Sequence, residues 1–313
     1  MMRGMAATNP TLQSASQTRT VTLLSVATAL ILVVVKLVIW MVSGSVALMA
    51  SMADSGLDLI ASSATFFAVR YAAAPPDAEH RYGHGKAEAF ASLVQAGLVF
   101  ASAALIGQEA VQHLLAPKPV MREGWALAVM GLSIVLTGGL VLAQTRVLRR
   151  SRSVAVSADR THYAADLASN VIALMGIAAT VVFGAPALDA IAALVVAAIL
   201  LWGAVSVFRQ ASDQLLDHEL PDSARARIVS LALEDPLVRD VHQLRTRNSG
   251  PVMHVQMHAD LDPELTLESA HRIVVAAEKR ILEAFPTADI IIHPDPRGRA
   301  EPHGGAFAAF DEG

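Results

Sequence analysis

Hydrophobic residues in the first two thirds of the chain form long runs rather than the short alternating patches of a soluble protein. Six runs are each about long enough to cross roughly 30 Å of hydrocarbon as a helix. Helices are expected because backbone polar groups in lipid have to be satisfied within the segment. The predicted spans are residues 21–43, 46–68, 89–115, 125–148, 156–183 and 188–208.

Composition separates this part of the chain from the rest. Charged residues make up 17% of the sequence, against about 25% in soluble domains. They are sparse from 21 to 208 and frequent afterwards, which excludes a single soluble globule, a disordered chain and a nucleic-acid binder. We expect a flexible tail at 1–18, a six-span transmembrane domain at 19–211 and a disordered tail at 297–313.

Residues 212–296 have the pattern of a small cytoplasmic domain. A helix is predicted at 224–233 and an amphipathic helix at 263–285. Strands are predicted at 238–246, 251–261 and 289–292, with a turn at Asn248, Ser249 and Gly250. The order αββαβ predicts a helix layer on a sheet, an α+β domain of the metallochaperone-like kind.

Basic residues predict which side of the membrane holds this domain. Eight of them lie in, or at the edges of, the connections between spans 2 and 3 and between spans 4 and 5, and two lie on the opposite side. The eight are Arg70, Arg81, Lys86, Arg146, Arg149, Arg150, Arg152 and Arg160, and the two are Lys118 and Arg122. Because cytoplasmic loops are enriched in Lys and Arg, both termini are expected in the cytoplasm.

Two predicted spans contain ionisable residues at helical spacing. Asp54 and Asp58 lie four residues apart in the second span, and His162 and Asp166 repeat that spacing in the fifth. A carboxylate deep inside the bilayer costs about 2.5–3.5 kcal/mol, and two carboxylates on one helix face repel each other. A bound cation would relieve both penalties.

Three carboxylates and one imidazole can surround a divalent ion tetrahedrally. The imidazole favours Zn²⁺ over Mg²⁺ or Ca²⁺, with Cd²⁺, Fe²⁺ and Co²⁺ as further substrates. The chain has no cysteine, so thiolate sites are excluded. Because metal ligands bind in their deprotonated form, a site open alternately to each side would exchange metal for H⁺.

Histidines outside the spans suggest further metal sites. Asp77, His80 and His84 have a D-x₂-H-x₃-H spacing in a cytoplasmic loop, for which a solvated polar loop is the alternative. The predicted cytoplasmic domain contains His242, His254, His258, His271, His293 and Asp295, for which scattered surface histidines are the alternative.

The two intramembrane pairs, together with GHGK at 83–86, VHQLRTRNSG at 241–250 and DIIIHPDP at 289–296, resemble the cation diffusion facilitator family. The similarity covers about residues 18–296 and is greatest to the bacterial zinc and ferrous-iron efflux branch. The resemblance implies a proton-coupled antiporter in the bacterial inner membrane, working as a homodimer through its cytoplasmic domain.

The same resemblance implies roles for individual residues. The transport site falls on Asp54, Asp58, His162 and Asp166, and the loop site on Asp77, His80 and His84. A two-metal cluster at the dimer interface falls on His242, His258, His271, His293 and Asp295. An ion pair is implied between Lys86 and Asp217. The resemblance implies no role for His254 or for Lys36. Pro294, which lies between the predicted ligands His293 and Asp295, departs from the family pattern.

Other function classes share part of this pattern. An intramembrane metal-dependent hydrolase also places His and Asp on facing helices, but it needs a general base and a hydrolase signature that this sequence lacks. A membrane-anchored metal sensor would leave flux independent of the intramembrane ligands. A passive channel would conduct regardless of a pH gradient.

Overall fold

A computed structural model of the protein describes residues 10–43, 46–115, 124–149, 151, 153–183 and 186–298. The chain divides into two compact units, Met1–Asp213 and Gln214–Gly313. The described part of the first unit is helical, and the second combines helices with a sheet. The predicted loops around 44, 117–119 and 184, and the predicted tail beyond 298, lie wholly or partly outside the described residues.

The described residues of the first unit form six helices. They are α1 (Pro10–Ser43), α2 (Val46–Ala72), α3 (Ala87–Leu115), α4 (Gly124–Leu148), α5 (Val154–Phe183) and α6 (Pro186–Leu215). Among the described residues, four segments are long and apolar enough to cross a membrane: Ser16–Val42, Ala87–Gln112, Leu127–Leu148 and Ala190–Leu215. The predicted helical membrane domain is confirmed. Helices α2 and α5, which carry the predicted ionisable pairs, are not among these four segments, so the count of six spans stays a prediction.

The first helix begins earlier than the sequence indicated. Because α1 starts at Pro10, residues 10–18 are helical and not part of a flexible tail. Proline favours the first helical position, and the polar residues after it include no further Gly or Pro to interrupt the helix. The first nine residues lie outside the described part of the chain.

Helix α5 occupies the centre of the bundle, where it contacts each of α1, α2, α3 and α4. It also packs against α6, with Ala165 beside Leu200 and Ala204. Small residues allow this close approach: a Cβ added at Gly203 would lie 3.1 Å from the Thr161 methyl carbon. The polar residues of α5 are therefore surrounded by protein on several sides.

The second unit has the predicted αββαβ order. Its elements are α7 (Asp222–Ala232), β1 (Asp240–Ser249), β2 (Val252–Leu261), α8 (Leu267–Ala284) and β3 (Ala288–Pro296). The sheet order is β1-β2-β3, with β1 antiparallel and β3 parallel to β2. Alternate residues of β2, including Val255 and Met257, form a core with Ile273 and Ile281 of α8. The intervening residues face the side of the sheet away from these helices.

Strand β3 is longer than predicted. It extends to Pro296, so that His293 and Asp295 lie within the strand and not after it. Pro294 is tolerated because β3 is an edge strand, where a missing N–H group need not leave a neighbouring carbonyl unpaired. The strand therefore holds both acidic and imidazole side chains in fixed register with β2.

Ile281 is fully buried between α8 and the sheet, whereas its neighbour Leu282 is 40% exposed. We expect Ile281→Ala to lower the free energy of unfolding of the cytoplasmic unit by about 2–5 kcal/mol, because the site cannot fully collapse around the cavity. Hydrogen exchange of full-length protein, read by mass spectrometry on peptides of β2 and α8, measures the loss. Leu282→Ala is the matched control, and equal exchange in the two variants would contradict this packing.

Candidate metal centres

Asp58 of α2 meets His162 and Asp166 of α5 inside the helical unit. The His162 Nε2 atom lies 2.9 Å from Asp58 Oδ1 and 3.7 Å from Asp166 Oδ2. One ligand atom from each residue lies within 4.8 Å of the others. His162 and Asp166 share a helix face because they are four residues apart. The packing of α2 on α5 brings Asp58 to that face.

This cluster has the chemistry of a divalent-cation site. The His162 side chain is 6% exposed, and the Asp58 and Asp166 side chains are 12% and 25% exposed. Within the described residues, Asp166 Oδ2, which lies 3.7 Å from His162 Nε2, has no hydrogen-bond partner. Buried polar atoms are normally paired, so a cation held by these side chains would use a coordinating capacity that the protein leaves unused.

Asp54, the fourth predicted ligand, lies outside this three-residue cluster. It is one helical turn from Asp58 on α2, and its side chain is exposed. Its charge still acts on Asp58, His162 and Lys36. The structure thus brings together three of the four predicted ligands and leaves Asp54 beside them.

A second buried acid, Asp159, was not singled out in the sequence. It lies three residues before His162 on α5 and is inaccessible to solvent. Its carboxylate accepts hydrogen bonds from Gln144 Nε2 at 2.8 Å and from Gln95 Nε2 at 3.1 Å. The sequence did indicate its importance, because Asp159 also lies inside the predicted span 156–183. Burying its carboxylate there costs as much free energy as burying that of Asp166. These bonds tie α5 to α3 and α4 one turn from the metal cluster.

Lys36, for which the sequence suggested no partner, is also accounted for. Its ammonium donates to Ser55 Oγ at 2.6 Å and to the Ser51 carbonyl at 3.1 Å. Both acceptors belong to α2, the helix of Asp54 and Asp58. A positive charge is thus held against the helix that carries two of the predicted ligands.

The loop between α2 and α3 brings Asp77, His80 and His84 together as predicted. Asp77 Oδ1 lies 3.3 Å from His80 Nδ1, and Asp77 Oδ2 lies 3.2 Å from His84 Nε2. The turn is closed by Gly83, whose φ of +78° suits glycine. Backbone N–H groups of His80 and Glu79 donate to Asp77 and lower its pKa, so this carboxylate stays ionised and able to bind metal in mild acid.

In the cytoplasmic unit, strand register aligns three histidines across the sheet. His242 of β1 pairs with His258 of β2, which pairs with His293 of β3. The Asp295 carboxylate lies 2.8 Å from His258 Nδ1, 3.3 Å from His242 Nε2 and 3.2 Å from His293 Nε2. We call these four residues the histidine row. It lies on the sheet face away from α8.

Two other histidines of this unit lie outside the histidine row. His271 is exposed on α8, which packs on the opposite face of the sheet. His254 is buried, and its Nδ1 atom lies 3.1 Å from Asp289. The structure assigns His254 an ion-pair geometry within the sheet and does not bring His271 to the predicted cluster within one chain.

Asp217, predicted to pair with Lys86, contacts Arg247 at 3.1 Å within its own unit. Asp217 has a φ of 56°, a left-handed backbone conformation that residues other than glycine rarely adopt. The Lys86–Asp217 ion pair would join the two units and stays a prediction.

Known proteins resemble this chain over most of its length. The cation efflux transmembrane domain family matches residues 22–216, and the cation efflux protein cytoplasmic domain family matches residues 220–297. The cation-efflux pump FieF of Shewanella oneidensis is 40% identical over 272 residues, which cover 87% of this chain and 92% of that protein. The FieF pump of Serratia proteamaculans is 37% identical over 91% of this chain and 94% of its own.

A solved structure of the metal-bound C-terminal domain of the CzcD transporter from Thermotoga maritima matches a smaller part. It is 25% identical, covers 25% of this chain and 93% of that domain, and has a TM-score of 0.25. The full-length relatives and the two domain matches identify a transporter and not an enzyme. With its apolar helices and its clusters of metal-ligating side chains, the chain belongs to the cation diffusion facilitator family of multi-pass membrane proteins that export metal cations.

Proposed function

We propose that the protein exports divalent cations, Zn²⁺ first among them, from the bacterial cytoplasm in exchange for H⁺. The transport site consists of Asp54, Asp58, His162 and Asp166. The observation that carries this proposal is the convergence of Asp58, His162 and Asp166 inside the helical unit, with ligand atoms within 4.8 Å of one another.

The ligand set decides the class of cation. Carboxylates alone suit Mg²⁺, Ca²⁺ and Mn²⁺, whereas an imidazole moves the preference toward Zn²⁺, Co²⁺ and Fe²⁺. Four ligands of mixed oxygen and nitrogen type match the tetrahedral geometry of Zn²⁺. Fe²⁺, Cd²⁺ and Co²⁺ fit the same set as further substrates. Asp54, one helical turn from Asp58 on α2, is the proposed fourth ligand.

Proton exchange follows from the chemistry of these ligands. Protons and metal compete for the same carboxylate and imidazole atoms, so protonation favours release and metal binding expels protons. When the site faces the outside, entering protons displace the cation. When it faces the cytoplasm, the cation displaces those protons.

In the proposed orientation, all six helices cross the bacterial inner membrane. Both termini then lie in the cytoplasm. Charged residues of the loop Asp77–Lys86 and of the α4–α5 connection then lie on the cytoplasmic side. The loop site, Asp77, His80 and His84, would meet cytoplasmic metal next to the entrance of the bundle.

The histidine row supports a homodimer formed through the cytoplasmic domain. The row lies on the sheet face that α7 and α8 of the same chain leave open. Three histidines and Asp295 exceed what one tetrahedral ion needs when water also binds. We infer two ions at this surface in the dimer, with His271 and the Lys86–Asp217 ion pair completing the assembly.

Asp166→Ala is expected to reduce zinc-driven proton movement to the level of empty liposomes, because it removes one of the carboxylate ligands of the proposed transport site. Asp54→Ala is expected to do the same. The measurement is the quenching of a pH-sensitive dye in proteoliposomes after addition of Zn²⁺. Asp213→Ala, an exposed aspartate at the end of α6, is the matched control. Wild-type rates in both ligand variants would refute the assignment of the transport site.

His162→Asp is expected to broaden the substrate range toward Mn²⁺, since the transport site then offers only oxygen ligands. The ratio of Zn²⁺ to Mn²⁺ transport rates, measured in the same proteoliposomes, should fall by at least about tenfold. An unchanged ratio would mean that His162 does not touch the cation.

His258→Ala is expected to remove about one bound metal ion per chain, because His258 is the centre of the histidine row. Elemental analysis of gel-filtered protein after zinc loading gives the metal-to-protein ratio. His218→Ala is the control, since His218 is exposed and bonds only to a neighbouring carbonyl in the described structure. Equal metal content in the two variants would exclude the row as a metal site.

A further inference from the structure

Lys36 of α1 is a charged side chain in the interior of the helical unit. The residue is only 8% exposed. Its hydrogen bonds to Ser55 Oγ and to the Ser51 carbonyl hold the ammonium group against α2. A buried lysine inside an apolar helix costs about as much as a buried carboxylate, so its presence there calls for a compensating interaction.

The compensating charges are those of the transport site. Ser55 lies between Asp54 and Asp58 in the sequence of α2, and the Lys36 charge acts on Asp54, Asp58 and Asp166. No ion pair within 4.0 Å joins Lys36 to these carboxylates in the described structure, so the ammonium is near the site without blocking its ligand atoms. Ser55 acts as the spacer that sets this separation.

Formal charge shows what this arrangement achieves. Asp54, Asp58 and Asp166 contribute three negative charges, and neutral His162 contributes none. Lys36 reduces the total to two negative charges, which one divalent cation neutralises. Without Lys36 the loaded site would keep one uncompensated negative charge in a medium of low dielectric constant.

We infer that Lys36 is a positioning residue whose ammonium group, anchored on Ser55 and Ser51, sets the charge of the transport site to match a divalent cation. This inference rests on the proposed transport site and adds a residue from a third helix to it. Lys36 does not touch the cation. It acts electrostatically, weakening the attraction for the cation enough for release to be fast.

Replacing Lys36 with a neutral residue should therefore change the affinity for Zn²⁺ in a defined direction. A neutral side chain removes repulsion between the ammonium group and the cation, so Zn²⁺ should bind more tightly and leave more slowly. By Coulomb's law, removing the repulsion between one unit charge and a nearby divalent ion corresponds to about tenfold in affinity or more. The effect should be largest in mildly alkaline solution, where protons compete least with metal.

The experiment compares Lys36→Met, Lys36→Arg and wild type as full-length proteins. In proteoliposomes, Lys36→Met should lower the KM for Zn²⁺ about tenfold and also lower kcat. Lys36→Arg restores the charge and should return both values toward wild type. Ser55→Ala keeps the charge but removes its anchor, and should fall between the two. Lys36→Gln provides the same comparison as Lys36→Met should the methionine variant fail to fold.

Calorimetric zinc titration in detergent separates this inference from the proposed function. The heat that Asp58→Asn abolishes belongs to the transport site, and Lys36→Met should tighten that component. If the component is present in wild type but unchanged by Lys36→Met, or if KM is unchanged while kcat falls, Lys36 is only structural and the inference is wrong. If wild type shows no component that depends on Asp58, the proposed transport site itself is overturned.

Discussion

Charge buried in a hydrocarbon environment has to be compensated, and this requirement organises the helical unit. Asp58, Asp159 and Asp166 are buried or partly buried acids that no surrounding water can solvate freely. The helical unit compensates these charges in two ways. Asp159 is satisfied by the amide groups of Gln95 and Gln144, while Asp58 and Asp166 converge on His162. Only the second arrangement leaves coordinating atoms for a cation.

The central position of α5 connects these two solutions. Asp159 and His162 lie about one turn apart on this helix, and α5 contacts all of α1–α4. Hydrogen bonds that Asp159 accepts from Gln95 and Gln144 hold α5 against α3 and α4, while His162 holds it against α2. Among the described helices, α5 is therefore the one through which a change at His162 would reach the most neighbours.

The cytoplasmic unit reaches metal-binding geometry by a different route. Its histidines come from three strands, and hydrogen-bond register places them side by side without any need to bury charge. Asp295 then reaches all three imidazoles because β3 continues past Pro294. The intramembrane site is restrained by the cost of its own charges, whereas the histidine row is restrained by sheet geometry.

Much of this follows from the sequence. Long apolar runs, the αββαβ pattern and the i, i+4 spacing within the pairs Asp54–Asp58 and His162–Asp166 are local features. Helix and strand periodicity determine them. The partners across helices are not local. Nothing in the sequence around Lys36 points to Ser55, and nothing around Asp159 points to Gln144, because helix rotation and packing alone decide which polar faces meet. Likewise, sheet register places His293 and Asp295 of β3 beside β2, the strand of His258. The exposure of Asp54 and His271 depends on packing that periodicity cannot specify.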